Sequence, residues 1–197
     1  MGRKSKADVR KKEILEHFYI ILRDEGFENA SIAKIANIMD VNPSLLIHYF
    51  KTKEEMVVAF VSFLLGRYEL TFKDQMIGAE DPKVRFNNII NIMFSEDWFN
   101  FSDQTVFYAC YYLSTRYPRI KSRFKEMYTL FRELLIPQAQ SWIDAGIIAP
   151  QDPANVADFL IIMNEGLTYY DKLLSDPTGF SKRAKFLKKA VLKTLQN

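Results

Sequence analysis

Cysteine is almost absent from this chain of 197 residues: Cys110 stands alone, which excludes an internal disulfide framework and points to a reducing compartment. Glycine and proline number 7 each, too few for a collagen-like or low-complexity chain and for the turns of a hairpin-rich β protein. His17 and His48 are the only histidines, and no spaced cluster of metal-ligating residues accompanies them. A glycine-rich phosphate loop is also lacking. No catalytic residues, metal or cofactor are therefore expected, and the chain does not read as an enzyme. The longest apolar run, Met56 to Gly66, stops at Arg67 after 11 residues, well short of the ~20 that a membrane-spanning helix needs. The basic amino-terminal segment has no apolar stretch of the kind a signal peptide carries. A cytoplasmic protein with no membrane partner is expected.

What the chain does hold is apolar and aromatic mass. Apolar residues make up 48% of it, and 16 Phe, 10 Tyr and 2 Trp need a buried home. The net charge, 27 − 24 = +3, excludes nothing on its own. Its placement is more telling: residues 3–12 hold Arg3, Lys4, Lys6, Arg10, Lys11 and Lys12 against the single acid Asp8. A basic arm of this kind suits phosphates, and a solvated tail is its plainer reading.

The scarce glycines and prolines punctuate helices. Asn42-Pro43, Asp81-Pro82, Asp152-Pro153 and Asp176-Pro177 each place an amide-accepting side chain before a residue whose missing N–H is harmless in a first turn. Gly26, Gly78, Gly146 and Gly179 follow apolar-periodic stretches, where a left-handed residue ends a helix. Between these marks the period is helical: Ile14, Phe18, Ile21 and Leu22, then Ile32, Ile35, Ala36 and Met39. An all-α protein of about nine helices is expected. Short helices fall near 8–25, 31–39 and 43–49, and a long one starts at the capping box Thr52-Lys53-Glu54-Glu55 and runs towards Gly78.

Residues 31–50, SIAKIANIMDVNPSLLIHYF, carry the sharpest signal. Ala36 is small enough for a second helix to cross closely, Asp40 tolerates the left-handed turn better than most residues, and Val41 plugs the corner before Asn42-Pro43 opens the next helix. Two helices crossed over a tight turn form the unit that lays its second helix in a DNA major groove, although such pairs also serve as plain packing units. Lys51 and Lys53 flank the exit. From Val9 to about Val61, through Gly26-Phe27, the Ser31-led helix, Val41 and the His48-Tyr49-Phe50-Lys51 exit, the chain resembles the amino-terminal domain of TetR-family (tetracycline-repressor-like) regulators. Its His48-Tyr49-Phe50 form is similar to the BetI-like branch.

The resemblance implies a homodimeric, ligand-responsive, usually repressing transcription regulator. It implies a DNA-binding head over residues 1–53, a connecting helix over about 53–77, and an effector-binding and dimerisation body over 78–197. Carried over by position, Ser31 caps the second helix and meets a phosphate with Lys34 nearby. Asn42, Pro43, Ser44 and Leu45 face base edges, and His48, Tyr49 and Lys53 hold the DNA backbone. Val41, Leu46 and Phe50 are core. Three residues depart from the family pattern. Asp40 stands where glycine is usual, Ile47 replaces a frequent tyrosine, and Pro43 and Leu45 bring no hydrogen bond to a base. Base discrimination is therefore expected to lean on Ser44, thymine methyls and DNA shape.

In the body, the ladder Val156-Leu160-Met163-Leu167-Tyr170-Leu174 makes an apolar seam, joined by Leu187 and Val191 of the last segment. Doubled by a two-fold axis, the two segments give a four-helix dimer interface; packing on their own chain is the other reading. The run Lys182, Arg183, Lys185, Lys188, Lys189 and Lys193 reads as a solvated face. From Phe94 to Tyr112, Phe94, Trp98, Phe99, Phe101, Phe107, Tyr108, Tyr111 and Tyr112 are aromatic, eight of 19 residues against a chain average of 14%. With Phe86, Met93, Tyr128 and Phe131 they form either an aromatic core or the wall of a site for an apolar, aromatic or cationic molecule. Asn164 and Glu165 are polar candidates at its edge. The competing function is a helical adaptor that binds protein or membrane without DNA specificity.

Overall fold

The computed structural model describes residues 6–76, 80–97, 104–174 and 179–197. Their regular elements are helices: α1 (Lys6–Glu25), α2 (Ile32–Ile38), α3 (Pro43–Tyr49), α4 (Lys53–Met76), α5 (Pro82–Met93), α6 (Gln104–Leu113), α7 (Pro118–Asp144), α8 (Pro153–Leu174) and α9 (Gly179–Gln196). The expected all-α class is the observed one. Among the described residues no helix is long and apolar enough to cross a membrane. Two compact units emerge, Met1–Arg67 with Thr105–Lys125, and Tyr68–Gln104 with Glu126–Asn197. The first takes in more chain than a head drawn at residue 53.

In the first unit, Ile14, Phe18, Ile21 and Leu22 of α1 are all buried, the stripe that their spacing foretold. Phe18 meets Phe60 of α4 edge-to-face at 4.9 Å. Gly26 takes φ 81° and ends α1, its N–H reaching back to Leu22 O at 3.2 Å. Ser31 caps α2 by accepting from the Lys34 amide at 3.2 Å. At the far end Asp40 N–H donates to Asn37 O at 3.2 Å and Val41 N–H to Ala36 O at 3.0 Å. This pair of bonds is a Schellman closure with Asp40 at the left-handed position. Asn42 then caps α3, accepting from the Ser44 amide at 2.9 Å, with Pro43 in the first turn. Ile35, Ala36 and Leu46 are fully buried, so the small residue does lie in the head's core. Thr52 caps α4 through the Glu55 amide at 3.1 Å. The Glu55 carboxylate accepts from Lys51 N at 3.0 Å, one residue earlier than a simple capping box has it.

Asp40 holds φ 52°, the left-handed backbone that glycine adopts freely. Asp40→Gly is expected to stabilise the chain by about 0.5–1 kcal/mol, raising Tm by about 1–4 °C. Asp40→Val, which puts a β-branched side chain there, is expected to lower it by more. Thermal melts of the three chains check the order, and equal midpoints would show that the turn carries no strain.

In the second unit Asp81 caps α5, its Oδ1 accepting from Lys83 N at 2.7 Å and Val84 N at 2.9 Å. Asp152 likewise caps α8 through Ala154 N at 2.8 Å. Phe86 of α5 packs edge-to-face on Trp142 of α7 at 5.0 Å. Helix α7 runs through Pro137 without ending. The proline is exposed on the side opposite Leu135 and Ala139, so the carbonyl it leaves without a donor can bond water. Gly146 takes φ 66° after α7. Gly179 differs from the expectation: it opens α9 and does not close a helix. Gly78 and the pair Asp176-Pro177 lie outside the described residues.

Candidate nucleic-acid interface and body helices

The caps just described leave one side of the head open. On α3, Pro43, Ser44, Ile47 and His48 are exposed, Leu45 and Tyr49 are half-buried, and Leu46 is buried. Residues i, i+1, i+4 and i+5 share a helix face, so the outward stripe contains Ile47 and leaves Leu45 at its margin. Of the base-facing set expected from the sequence, Asn42, Pro43 and Ser44 are exposed and Leu45 is half-buried. Asn42 is exposed but its Oδ1 serves the cap. The rings of His48 and Tyr49 meet edge-to-face at 5.4 Å.

Two cations of this face already have partners. Lys34 pairs with the Glu25 carboxylate, and the Lys53 ammonium sits 4.9 Å above the Phe27 ring. Both contacts are surface contacts worth little in water, so a phosphate can displace either. Arg3 and Lys4 of the basic arm lie outside the described residues, while Lys6, Lys11 and Lys12 project from the exposed start of α1. Among the described residues no group of His, Cys, Asp and Glu could hold a metal ion.

The aromatic residues gathered by sequence are divided between the two units. In the first, Phe107 and Tyr111 each meet Phe124 edge-to-face at 5.5 Å, and Phe107 meets Tyr108 at the same distance. Tyr111 and Tyr112 are more than half exposed, 52% and 58%, with Arg116 over the Tyr112 ring at 5.7 Å. These two tyrosines therefore stand at the surface of the single chain. Cys110 beside them is buried, and burial pushes its thiol up to about 12, which makes it inert. Trp98, Phe99 and Phe101 fall outside the described residues.

In the second unit Phe86, Met93, Phe94 and Phe131 are buried. Phe131 stacks on Phe72 at 4.1 Å and meets Tyr128 edge-to-face at 6.1 Å; Phe72 escaped the sequence reading because it lies on α4. Asn164 is buried and donates to Met93 O, tying α8 to the end of α5. Its amide is thus committed to structure. Glu165 accepts a hydrogen bond from Tyr128, and burial of its carboxyl raises it to about 7. The rest of the residue keeps partial exposure.

The dimer seam expected from the sequence is divided between the chain's own core and an open face. Val156, Leu160 and Val191 are at most 1% exposed, and Leu167 is buried at 5%, within the single chain. A second apolar stripe of α8 faces outward: Ile162 (62%), Tyr169 (53%), Tyr170 (55%), Leu173 (65%) and Leu174 (45%), with Phe186 of α9 at 74%. A groove of about 700 Å³ runs along it, with Met163, Gly166, Arg183 and Leu187 also in its wall. Tyr170, Leu174, Met163 and Leu187 of the expected set therefore do lie on or beside the open face. Arg183 pairs with the buried Asp171, clamping α9 to α8 beneath it.

Residues 82–197 match the family model for the tetracyclin repressor-like C-terminal domain. Residues 20–60 match that for bacterial regulatory proteins of the tetR family. The HTH-type transcriptional regulator BetI of Rhizobium meliloti (strain 1021) is 30% identical over 91 residues, 46% of this chain and 45% of that protein. The chain spans about half the length of this and similar curated relatives. A TetR transcription regulator from Haloarcula marismortui ATCC 43049 superposes with a TM-score of 0.83 at 20% identity, over 96% of this chain and 99% of that one. A transcriptional regulator from Saccharomonospora viridis, in complex with choline, superposes with a TM-score of 0.71 at 16% identity, over 96% of each chain. At these identities the solved structures speak for the fold.

Proposed function

The chain belongs to the tetracycline-repressor-like family of transcription regulators, and from that premise we propose that it is a ligand-released repressor which grips a palindromic operator as a homodimer. The observation that carries this reading is the outward stripe of α3, set up by the Schellman turn at Asp40 and the Asn42 cap that precede it. Residues 1–53 supply the DNA contacts: Ser31, Lys34, His48, Tyr49 and Lys53 to phosphates, with Pro43, Ser44 and Asn42 at base edges. Residues 78–197 supply the dimer and the effector site. A two-fold dimer matches a palindrome because each head then meets the same half-site. The chain is a regulator and not an enzyme.

The effector is an apolar or aromatic molecule, and Glu165 narrows it further. No cation pairs with this carboxyl among the described residues, while Tyr128, which hydrogen-bonds to it, leads into a ring cluster with Phe131 and Phe72. A carboxylate beside rings suits a molecule bearing positive charge. Choline, held by the Saccharomonospora viridis protein, is of that class, but the reading rests on Glu165 and its rings. Ligand that prefers one body conformation shifts the population away from the DNA-competent state by as much as its two affinities differ.

Selection of bound duplexes from a random pool, followed by titration at several salt concentrations, tests the function. The expected result is a palindromic consensus whose affinity falls about 10³-fold or more between 50 and 200 mM salt. A pool that yields no consensus, or binding indifferent to salt, would rule the reading out and favour the adaptor.

A further inference from the structure

The outward stripe of α3 has little hydrogen-bonding capacity. Pro43 brings no donor or acceptor in its side chain, and Asn42 spends its Oδ1 on the Ser44 amide at 2.9 Å. The Ser44 hydroxyl, the Asn42 Nδ2 and the His48 ring remain. Beside them stands Ile47, half exposed at 50%, while Leu45 is half-buried and Leu46 is fully buried. A helix packed into a head buries its aliphatic side chains inward where the period allows. Ile47 lies on the opposite side, among the residues that would face a duplex.

We infer that Ile47 is a base-reading residue that selects thymine through its C5 methyl group. The major groove is lined by polar edges except where thymine places that methyl, the one apolar surface available there to an isoleucine. Removal of both from water favours the contact in proportion to the apolar area covered. The Ser44 hydroxyl alongside can hydrogen-bond a neighbouring base edge, so the stripe reads an apolar step next to a polar one. The frequent tyrosine of the family would put a hydroxyl at this position. Isoleucine gives up that hydrogen bond and gains sequence discrimination. The inference rests on the DNA-binding reading above and sharpens it, moving the apolar base contact from Leu45 to Ile47.

Deoxyuridine differs from thymidine only by the missing methyl, so it isolates this contact. With the selected operator, each thymine is replaced in turn and affinity is measured by fluorescence anisotropy. The parent chain is expected to lose about fivefold per half-site at one thymine. Ile47→Ala should bind the thymine and uracil duplexes equally at that position, with an unchanged salt slope. Ile47→Val, which keeps a methyl in place, should retain part of the penalty, and Leu45→Ala all of it. A parent chain indifferent to every uracil, or an Ile47→Ala chain that keeps the full penalty, overturns the inference while leaving sequence-selective binding intact. Absence of any sequence-selective binding overturns it together with the reading beneath it.

Discussion

The double substitution Tyr170→Lys with Phe186→Lys is expected to turn a dimer into monomers and to weaken operator binding by a hundredfold or more. The two side chains are 55% and 74% exposed in the single chain, on a face whose groove occupies about 700 Å³. Soluble monomers seldom leave so many large apolar side chains on one contiguous patch. Two-fold symmetry places each substitution in the interface twice. Four new ammonium groups would then be buried against Lys182 and Arg183 of the same groove, without acids to pair them. Aromatic anchors at the centre of an interface are each worth about 2 kcal/mol or more, so two per chain account for most of an ordinary dimer's affinity. The effect on DNA follows from linkage: once one head is bound, its partner meets the second half-site at an effective concentration on the order of millimolar. A monomer loses that second contact. Sedimentation equilibrium and operator titration read the two effects, and circular dichroism verifies that the variant folds. A variant still dimeric at micromolar concentration would place the interface elsewhere.

This face shows what the sequence makes legible and what it hides. Helix α8 is apolar on nearly every side, so two interleaved stripes, 156-160-167 and 162-169-173, both satisfy a helical period. Periodicity finds the helix at once but cannot say which stripe meets the chain's own core. Burial decides it: the first stripe packs inward and the second stays open. The head was far more legible, because its signals are local. Ser31, Asp40, Asn42 and Thr52 each act on backbone groups within a few residues, and a short polar side chain at a helix end has few other roles. The aromatic residues mark the opposite limit. Neighbours in sequence between Phe94 and Tyr112 find partners as distant as Phe124, while Phe86 finds Trp142 and Phe131 finds Phe72. Such pairings are set by how helices cross, which no local pattern records. Gly179 and Pro137 show that even punctuation depends on context: a glycine can open a helix, and an exposed proline can sit within one.

Replacing Glu165 by glutamine is expected to remove a pH dependence from the stability of the chain and, with it, the affinity for cations. Burial raises the Glu165 carboxyl to about 7 from an ordinary 4.5, against the opposing pull of the Tyr128 hydrogen bond. In the unfolded chain the same carboxyl loses its proton near 4.5. Between those two values the folded chain holds a proton that the unfolded chain has released, so stability falls as pH rises through that window and stays low above it. Allowing for screening of a residue that keeps partial exposure, the loss is about 1–2 kcal/mol. Glutamine holds the same shape without a charge to desolvate. The variant should therefore match the parent at pH 5 and exceed it at pH 8, with Tm higher by about 2–8 °C. A bound cation offsets the same desolvation by pairing with the carboxylate, so its affinity should climb as pH passes 7. With choline as the probe, the parent is expected to gain more stability from it at pH 8 than at pH 6. The glutamine variant should gain none at either pH. Melting profiles against pH that coincide for the two chains would show that Glu165 is ionised in the folded state without cost. A carboxylate already comfortable in that way offers a cation nothing to relieve.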